Sequence, residues 1–297
     1  MFDYVQLKAL AAVINCGGFE RAAQQLNITQ SAVSQRIRQL ELKTGQPLLI
    51  RTNPVTATAL GKKLLRHFAQ VEMLEQELQT ELADDTPQTP SKIKIAVNAD
   101  TLATWFLPAL APLFQRKNWL LELIVDDESY THHLLQNGEA VGCVTTTATP
   151  MTGCSSEPLG QMEYLCVATP QFQHRYFHNG VTPTSLALAP AVIFSTKDKL
   201  HDKFLQRYFA MAGGDYWQHT IPSSESFLES ILQHMGYGLV AHLQAVPLLE
   251  QGRLVELTPG MRKQVPLYWQ HWNIRAKQTT LIYRALMTRC RQLLLQP

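Results

Sequence analysis

Residues 19–41 read FERAAQQLNITQSAVSQRIRQLE and carry the clearest structural pattern in the first part of the chain. Apolar residues recur at helical spacing on both sides of a polar break at Asn27, so the stretch predicts two short helices joined by a tight turn. The small side chains of Ala22 and Ala23 allow the two helices to cross closely. Thr29 stands where it would cap the second helix.

The second helix of this pair leaves a row of hydrogen-bonding side chains facing outward. Its apolar residues recur every three to four positions and predict an inward face made of Val33, Ile37 and Leu40. The polar residues between them are Ser31, Ser34, Gln35 and Arg38. Such side chains at the exposed start of a helix suit recognition in the major groove of DNA, and the helix N-terminus favours a phosphate. The alternative, an ordinary solvated helix face, is disfavoured by the local positive charge.

The residues on either side complete a small domain. A first helix is predicted by apolar residues at helical spacing, a capping residue before them and glycines after them: Leu7, Leu10 and Ile14, Asp3, and Gly17-Gly18. Gly45 ends the helix that Thr29 begins. Two short strands are then predicted at residues 48–50 and 56–58, so the first domain is placed at residues 1–58.

Residues 59–83 predict one long helix. Its apolar residues follow a heptad seam, which needs a partner helix. The seam residues are Leu60, Leu64, Val71, Leu74 and Leu78. A helix packed on its own domain is the alternative, and the glutamates on the other faces count against it. We therefore predict a linker helix at residues 59–84 through which two copies of the chain dimerise.

Charge and composition divide the chain at the same place. Residues 1–60 contain six Lys or Arg and three Asp or Glu, a net charge of +3, whereas residues 61–91 contain three and six, a net charge of −3. Residues 85–91 form a polar, proline-containing hinge. Over residues 92–297 strand and helix patterns alternate, which predicts an α/β domain with largely parallel sheets.

The composition of the whole chain excludes several classes of protein. With 297 residues, 45% apolar and 17% charged, the chain is long enough for two domains and too apolar to be disordered. A net charge of +2 means that binding to nucleic acid requires a local concentration of charge. We expect no membrane span, no export signal and a cytoplasmic location with reduced cysteines. No residue pattern indicates catalytic machinery, a metal site or a cofactor.

Residues 19–41 and two later segments, GQPLLIRT at 45–52 and TALG at 58–61, resemble the winged helix-turn-helix head of LysR-type transcriptional regulators. The resemblance covers the whole chain. Three further segments are similar to the ArgP branch of that family, also called the inhibitor of chromosome initiation: AVNADTLATWFLPALAP at 96–112, SSESF at 223–227 and LVELTPG at 254–260. The resemblance implies an α+β multidomain protein with a winged helix-turn-helix, a long linker helix and a two-lobed α/β domain like periplasmic binding proteins.

The resemblance also implies roles for parts of the chain. Contacts to bases or nearby phosphates are implied for Thr29, Gln30, Ser31, Ser34, Gln35 and Arg38, and a backbone or minor-groove contact for Arg51 in the wing. The implied partner is double-stranded DNA with partial dyad symmetry, bound by a homodimer or homotetramer that is not an enzyme. The effector-binding domain would divide into lobe I, about 92–161 and 265–297, and lobe II, about 162–264.

Three groups of polar residues are candidates for binding an effector. They follow predicted strands or begin predicted helices: Asp126, Asp127 and Glu128; Asp100 and Thr101; Ser223, Ser224 and Glu225. Hydroxyls and backbone N–H groups at helix starts suit a ligand carboxylate, and the nearby acids suit an ammonium or guanidinium group. Each acid taken alone fits an ordinary helix cap better than a ligand contact. The ArgP resemblance favours lysine or arginine as effector, because that branch senses both.

The expected function is control of genes for arginine and lysine transport and metabolism. One alternative is a nucleoid or replication-origin binding protein of low specificity. An amino-acid solute-binding protein is another, and the head at residues 1–58 and the missing export signal count against it.

Overall fold

The computed structural model describes residues 1–82, 90–125, 134–135, 137–274 and 276–296. The chain begins with three helices and a two-stranded wing. These elements are α1 (Tyr4–Cys16), α2 (Phe19–Leu26), α3 (Gln30–Thr44), β1 (Leu49–Ile50) and β2 (Thr56–Ala57). The two strands pair antiparallel. The predicted helices and strands of the head are confirmed.

Local capping sets the boundaries of the three head helices. The Asp3 carboxylate accepts a hydrogen bond from the Val5 N–H, and the Thr29 hydroxyl accepts one from the Ala32 N–H. Gly17 and Gly45 end α1 and α3 with φ of +69° and +71°, a region that favours glycine. These helices enclose a core formed by one set of apolar residues: Leu7, Leu10, Val13, Ala22, Val33, Ile37, Leu40 and Leu48.

The linker helix α4 (Ala59–Leu82) contributes to the core of the head. Leu64 is buried in that core together with Phe68, and Leu60 packs against the same cluster. The placement of Leu64 on a dimer seam is therefore wrong, and Leu60 also serves the head. A heptad pattern marks an apolar face, but it does not say whether that face meets a second chain or the helix's own domain.

The other end of α4 carries an exposed apolar row. Leu74 is 44% exposed, Leu78 53% and Leu82 72%. The three residues are four apart, so they lie along one side of the helix. Val71 is half-buried.

Helix α4 also packs against the C-terminal part of its own chain. Met73 is buried in a cluster that contains Leu135 and Trp272. Further along, the Lys277 N–H donates to Glu77 Oε1 over 2.9 Å, and the Lys277 ammonium forms an ion pair with Glu81. Because no side chain from its own helix caps the helix that starts at Lys277, Glu77 supplies that cap from α4.

The C-terminal part is built from strands and helices. Its strands are β3 (Ser91–Val97), β4 (Trp119–Val125), β5 (Gly142–Thr145), β6 (Cys154–Ala168), β7 (Ala191–Ile193), β8 (Gln218–Thr220), β9 (Gly238–Ala241), β10 (Val255–Glu256) and β11 (Arg262–Trp272). Its helices are α5 (Ala99–Thr101), a π-helix (Leu102–Phe106), α6 (Leu107–Arg116), α7 (Pro170–Tyr176), α8 (Pro183–Leu188), α9 (Leu200–Phe209), α10 (Ser224–Leu232), α11 (His242–Glu250) and α12 (Lys277–Leu293).

Seven strands of the described residues form one sheet that runs through both lobes, in the order β10-β6-β11-β5-β3-β4 with β9 paired to β6. Within the described part of this sheet, the pairs β3–β4 and β3–β5 are parallel, and β7 and β8 pair parallel in a separate two-stranded sheet. The long strands β6 and β11 pair antiparallel over most of their length, β11 also pairs antiparallel with β5, and β9 and β10 join β6 antiparallel. The expectation of largely parallel sheets is therefore wrong, because β11 lies antiparallel between β5 and β6.

Strands β6 and β11 connect the two lobes. Their register shifts between Leu267 and Tyr268, and Gly160 lies opposite with φ of +130°. One lobe contains β3, β4 and β5, and the other contains β7 to β10. Because both β6 and β11 pass from one lobe to the other, the C-terminal ends of β3 and β4 lie opposite the start of α10. No helix of the described residues is long and apolar enough to cross a membrane.

A matched pair of glycine substitutions tests the packing of α4 on the C-terminal part. Gly138 and Gly153 both have φ of +81°, but a Cβ on Gly138 would lie 2.5 Å from Arg66 Cα, whereas one on Gly153 would meet nothing within 4 Å. We expect Gly138→Ala to lower the free energy of unfolding by ~1–3 kcal/mol more than Gly153→Ala in urea titrations. Equal losses would contradict the close approach of α4 at this position.

Candidate functional sites

The outward face of α3 forms the first candidate site. The side chains of Gln30, Ser31, Ser34, Gln35 and Arg38 are all exposed. They lie on the first half of the helix, opposite the buried Val33 and Ile37. The helix start is kept rigid by Thr29, whose Oγ1 caps the helix and lies 2.9 Å from the Ser31 Oγ. The arrangement presents donors and acceptors at a helix N-terminus that is exposed among the described residues.

The wing adds an exposed cation to the head. Arg51 directly follows β1 and is exposed. The turn after it is held by the Thr52 hydroxyl, which donates to the Pro54 carbonyl over 2.7 Å. Arg51 and Arg38 give the head two exposed cations on separate elements, which is the distribution that phosphate contacts require.

The second candidate site is a cleft of about 900 Å³ between the lobes. Its described lining includes three acidic residues, Asp100, Asp198 and Glu225, and four lysines, Lys197, Lys199, Lys203 and Lys263. Such a volume suits a small molecule. A second cavity of about 30 Å³ lies below it, beside Asp100 and the buried His201, and is too small for an amino acid.

Asp100 joins the two lobes at the bottom of the cleft. Its Oδ1 accepts a hydrogen bond from Ser224 Oγ, and its Oδ2 accepts one from the Tyr164 hydroxyl, both over 2.8 Å. Burial raises the pKa of the Asp100 carboxyl, the two hydrogen bonds lower it, and the nearby Glu225 raises it further; the net pKa is above its ordinary value. A carboxylate in this position is stabilised by a proton or by a cation.

The backbone around Asp100 is irregular. Asn98 caps α5 by accepting from the Thr101 N–H, and the π-helix follows directly. Pro108 cannot donate a hydrogen bond to the preceding turn, which accounts for a break in the regular α-helical pattern there. Single turns of π-helix occur frequently at functional sites.

Two of the predicted effector contacts need correction or restatement. Thr101 is fully buried and does not line the cleft, and its N–H is already bonded to Asn98, so its assignment to the site is wrong. Ser223 lines the cleft, but its side chain caps α10 by accepting from the Ser226 N–H. Ser224 is buried against Asp100, and Glu225 is exposed at the cleft. Asp126, Asp127 and Glu128 lie outside the described residues.

Several residues that line the cleft are not predicted from the sequence, and Tyr164 and Lys263 are two of them. In the sheet these two residues are direct cross-strand partners. The alternation of side chains along each strand was a usable signal, but the pairing of residues about a hundred positions apart was not visible in it.

Two family models match the two parts of the chain. Residues 4–62 match the model described as bacterial regulatory helix-turn-helix protein, lysR family, and residues 88–293 match the LysR substrate binding domain. The chain belongs to the LysR family. The two matches fall on the parts that contain the α3 face and the cleft.

Similar proteins of this family are named as regulators. The HTH-type transcriptional regulator ArgP of Aeromonas salmonicida is 49% identical over 91% of this chain and 90% of the relative. The crystal structure of ArgP from Mycobacterium tuberculosis has a TM-score of 0.91 at 35% identity, and full-length LysG from Corynebacterium glutamicum with bound effector Arg has 0.82 at 32%. Both structures cover this chain, and are covered by it, completely.

These relatives confirm three predictions from the sequence. The chain is a LysR-type transcriptional regulator similar to the ArgP branch, its architecture is the expected combination of head and effector-type domain, and it is not an enzyme. It regulates transcription as a DNA-binding protein of this family.

The raised pKa of Asp100 predicts how stability depends on pH when no ligand is present. The folded protein binds the Asp100 proton more tightly than the unfolded chain does. Wild type should therefore lose stability relative to Asp100→Asn as the pH rises from the unfolded pKa of about 4 through the higher folded pKa, and the deficit should then stay constant. Urea titrations across this range measure it. A pH-independent difference between wild type and Asp100→Asn would contradict the account.

Proposed function

We propose that this LysR regulator senses arginine or lysine in the cleft between its lobes and controls genes of arginine and lysine transport and metabolism. The observation that carries the proposal is the Asp100 carboxylate, which lies between the two lobes and is held by two hydroxyl donors, Tyr164 on β6 and Ser224 at the start of α10. The relative LysG, which matches along the whole chain, has bound effector Arg.

The chemistry of the cleft supports a cationic ligand. A partly buried carboxylate gains most from a partner that carries a positive charge and several N–H donors, because charge-assisted hydrogen bonds are the strong ones. Glu225 adds a second negative charge close to Asp100. The Ser223 and Ser224 hydroxyls offer further polar contacts at the start of α10. We also propose that Asp126, Asp127 and Glu128 contact the cationic group of the ligand.

We assign DNA recognition to α3 and the wing. Gln30, Ser31, Ser34, Gln35 and Arg38 would contact base edges or nearby phosphates, Thr29 would orient the helix start, and Arg51 would contact the backbone or minor groove. The exposure of all these side chains supports the assignment. Two heads in one dimer would read a partly palindromic site whose half-sites are about one helical turn apart.

We assign residues 1–58 to DNA binding, 59–84 to the linker, 85–91 to a hinge and 92–297 to effector binding, in a cytoplasmic protein. Dimerisation, or assembly to a tetramer, would use the distal part of α4. The exposed Leu74, Leu78 and Leu82, with Val71 beside them, support that surface. Leu64 and the half-buried Leu60 pack in the core of the head and are not assigned to the dimer surface.

Helix α4 connects the effector-binding domain to the DNA-binding head. Helix α4 packs on one lobe through Met73 and through the bonds of Glu77 and Glu81 to Lys277. The second lobe is joined to the first by the hydrogen bond between Ser224 and Asp100. An effector that binds Asp100 changes the contacts between the lobes, and it shifts the spacing of the heads only if it binds the two arrangements with different affinity.

Gln35→Ala tests the recognition helix. We expect it to lower the affinity for a specific promoter duplex by ~1–3 kcal/mol and to leave the affinity for random duplex almost unchanged, because Gln contacts base edges rather than phosphates. Gln79→Ala, an exposed glutamine on α4, is the matched control. Binding curves at one salt concentration decide it: an equal loss on both duplexes would place Gln35 among the phosphate contacts. Equal affinity of wild type for promoter and random duplex would favour a nucleoid or replication-origin binding protein of low specificity.

Thermal unfolding of the full chain tests the effector. Arginine or lysine at a hundred times its Kd should stabilise the protein by ~2.7 kcal/mol, whereas citrulline, the uncharged counterpart of arginine, should give little stabilisation at the same concentration. Asp100→Asn should lose the response and Asp215→Asn should keep it. If neither amino acid moves the melting temperature of wild type, the effector assignment fails while DNA binding by the head stands.

A further inference from the structure

The cleft contains basic residues, Lys263 and Lys203, in addition to the acidic Asp100 and Glu225. On β11, Lys263 lies directly opposite Tyr164 of β6 in the antiparallel register. Direct cross-strand partners have their Cβ atoms about 5 Å apart on the same face of the sheet. Both residues line the cleft. Since the Tyr164 hydroxyl donates to Asp100, a tyrosine stands between an acidic and a basic group.

Lys263 differs from the residue next to it on the same strand. Arg262 is neutralised: its Nε lies 3.4 Å from Glu163 Oε2, and its guanidinium also pairs with Glu256. Lys263 forms no ion pair with any residue that the structure describes. Alternation along the strand directs Arg262 away from the face that carries Lys263. Arg262 is thus paired, whereas Lys263 faces the cleft and has no ion-pair partner among the described residues.

Further cations stand beside Lys263. Lys203 and Arg207 on α9 are near enough that their charges add to the effect of burial and lower the pKa of Lys263. Lys203 also lines the cleft and also has no ion pair among the described residues. A group of like charges next to a ligand-sized cleft is unfavourable by itself and is relieved by an anion.

The acidic and basic groups of the cleft have charges opposite to those at the two ends of one molecule. Asp100 and Glu225 form the acidic pole, and Lys263 and Lys203 form the basic pole, with Tyr164 between them. A basic amino acid has a cationic group at the end of its side chain and an α-carboxylate at the other end. A diamine or a guanidino-amine of the same length has the cations but not the carboxylate.

We propose that Lys263, assisted by Lys203, binds the α-carboxylate of the effector while the cationic end of its side chain lies at Asp100. This inference rests on the proposed function, namely that the cleft takes arginine or lysine. It adds a direction of binding and a selectivity: the site distinguishes the amino acid from its decarboxylated amine. Lys263 is then a residue that determines specificity, because the acidic pole alone would accept either compound.

Calorimetric titration of the full chain with arginine and with agmatine, which is arginine without its carboxylate, tests the proposal. Wild type should bind arginine at least about tenfold more tightly than agmatine, because a hydrogen bond to a charged group is lost in agmatine. Lys263→Met should weaken arginine by about tenfold and leave agmatine unchanged or tighter, so that the difference between the ligands disappears. Lys203→Met should act in the same direction with a smaller effect.

Two control variants keep the test decisive. Lys263→Arg retains the charge and should retain the preference for arginine, and Lys117→Met, at an exposed position outside the cleft, should behave like wild type. Equal loss of both ligands in Lys263→Met, or an unchanged ratio between them, would overturn the carboxylate subsite while arginine sensing stands. If wild type binds neither arginine nor lysine, the proposed function fails and the subsite fails with it.

Discussion

The position of one carboxylate governs the effector domain. Asp100 lies between two lobes, accepts hydrogen bonds from the Tyr164 and Ser224 hydroxyls, and has its pKa raised by burial. A charge in such a place costs free energy unless a proton or a cation compensates it. The closed contact between the lobes, the volume of the cleft above it and the chemistry of a fitting ligand all depend on how that charge is compensated.

Helix α4 belongs to two packing units at once. Its first half places Leu64 and Phe68 in the core of the head, and its second half places Met73 against the effector domain and lets Glu77 cap α12. A helix shared in this way transmits a change of position, because packed interiors resist compression. The exposed leucines near its end leave one surface for a second chain.

What the sequence predicted correctly depends on short-range chemistry. Asp3 and Thr29 cap helices that follow them at once, so their roles could be read from neighbouring residues. Asp100 and Ser224 were found as candidates because each stands at the end of a strand or the start of a helix. Their contact joins positions 124 residues apart, and no local pattern contains it. The pairing of Tyr164 with Lys263 was missed for the same reason. Leu64 was misassigned because a periodic apolar face does not identify its partner.

Proton release on arginine binding shows whether a cation compensates the charge of the Asp100 carboxylate. If arginine compensates the Asp100 carboxylate, it lowers the pKa of a group that burial holds above its ordinary value in the free protein. Calorimetric titrations in buffers with different enthalpies of ionisation should then show protons released as arginine binds, and Asp100→Asn should show no such release. Arginine binding without proton release at any pH between the ordinary range of an aspartate and neutrality would contradict the account.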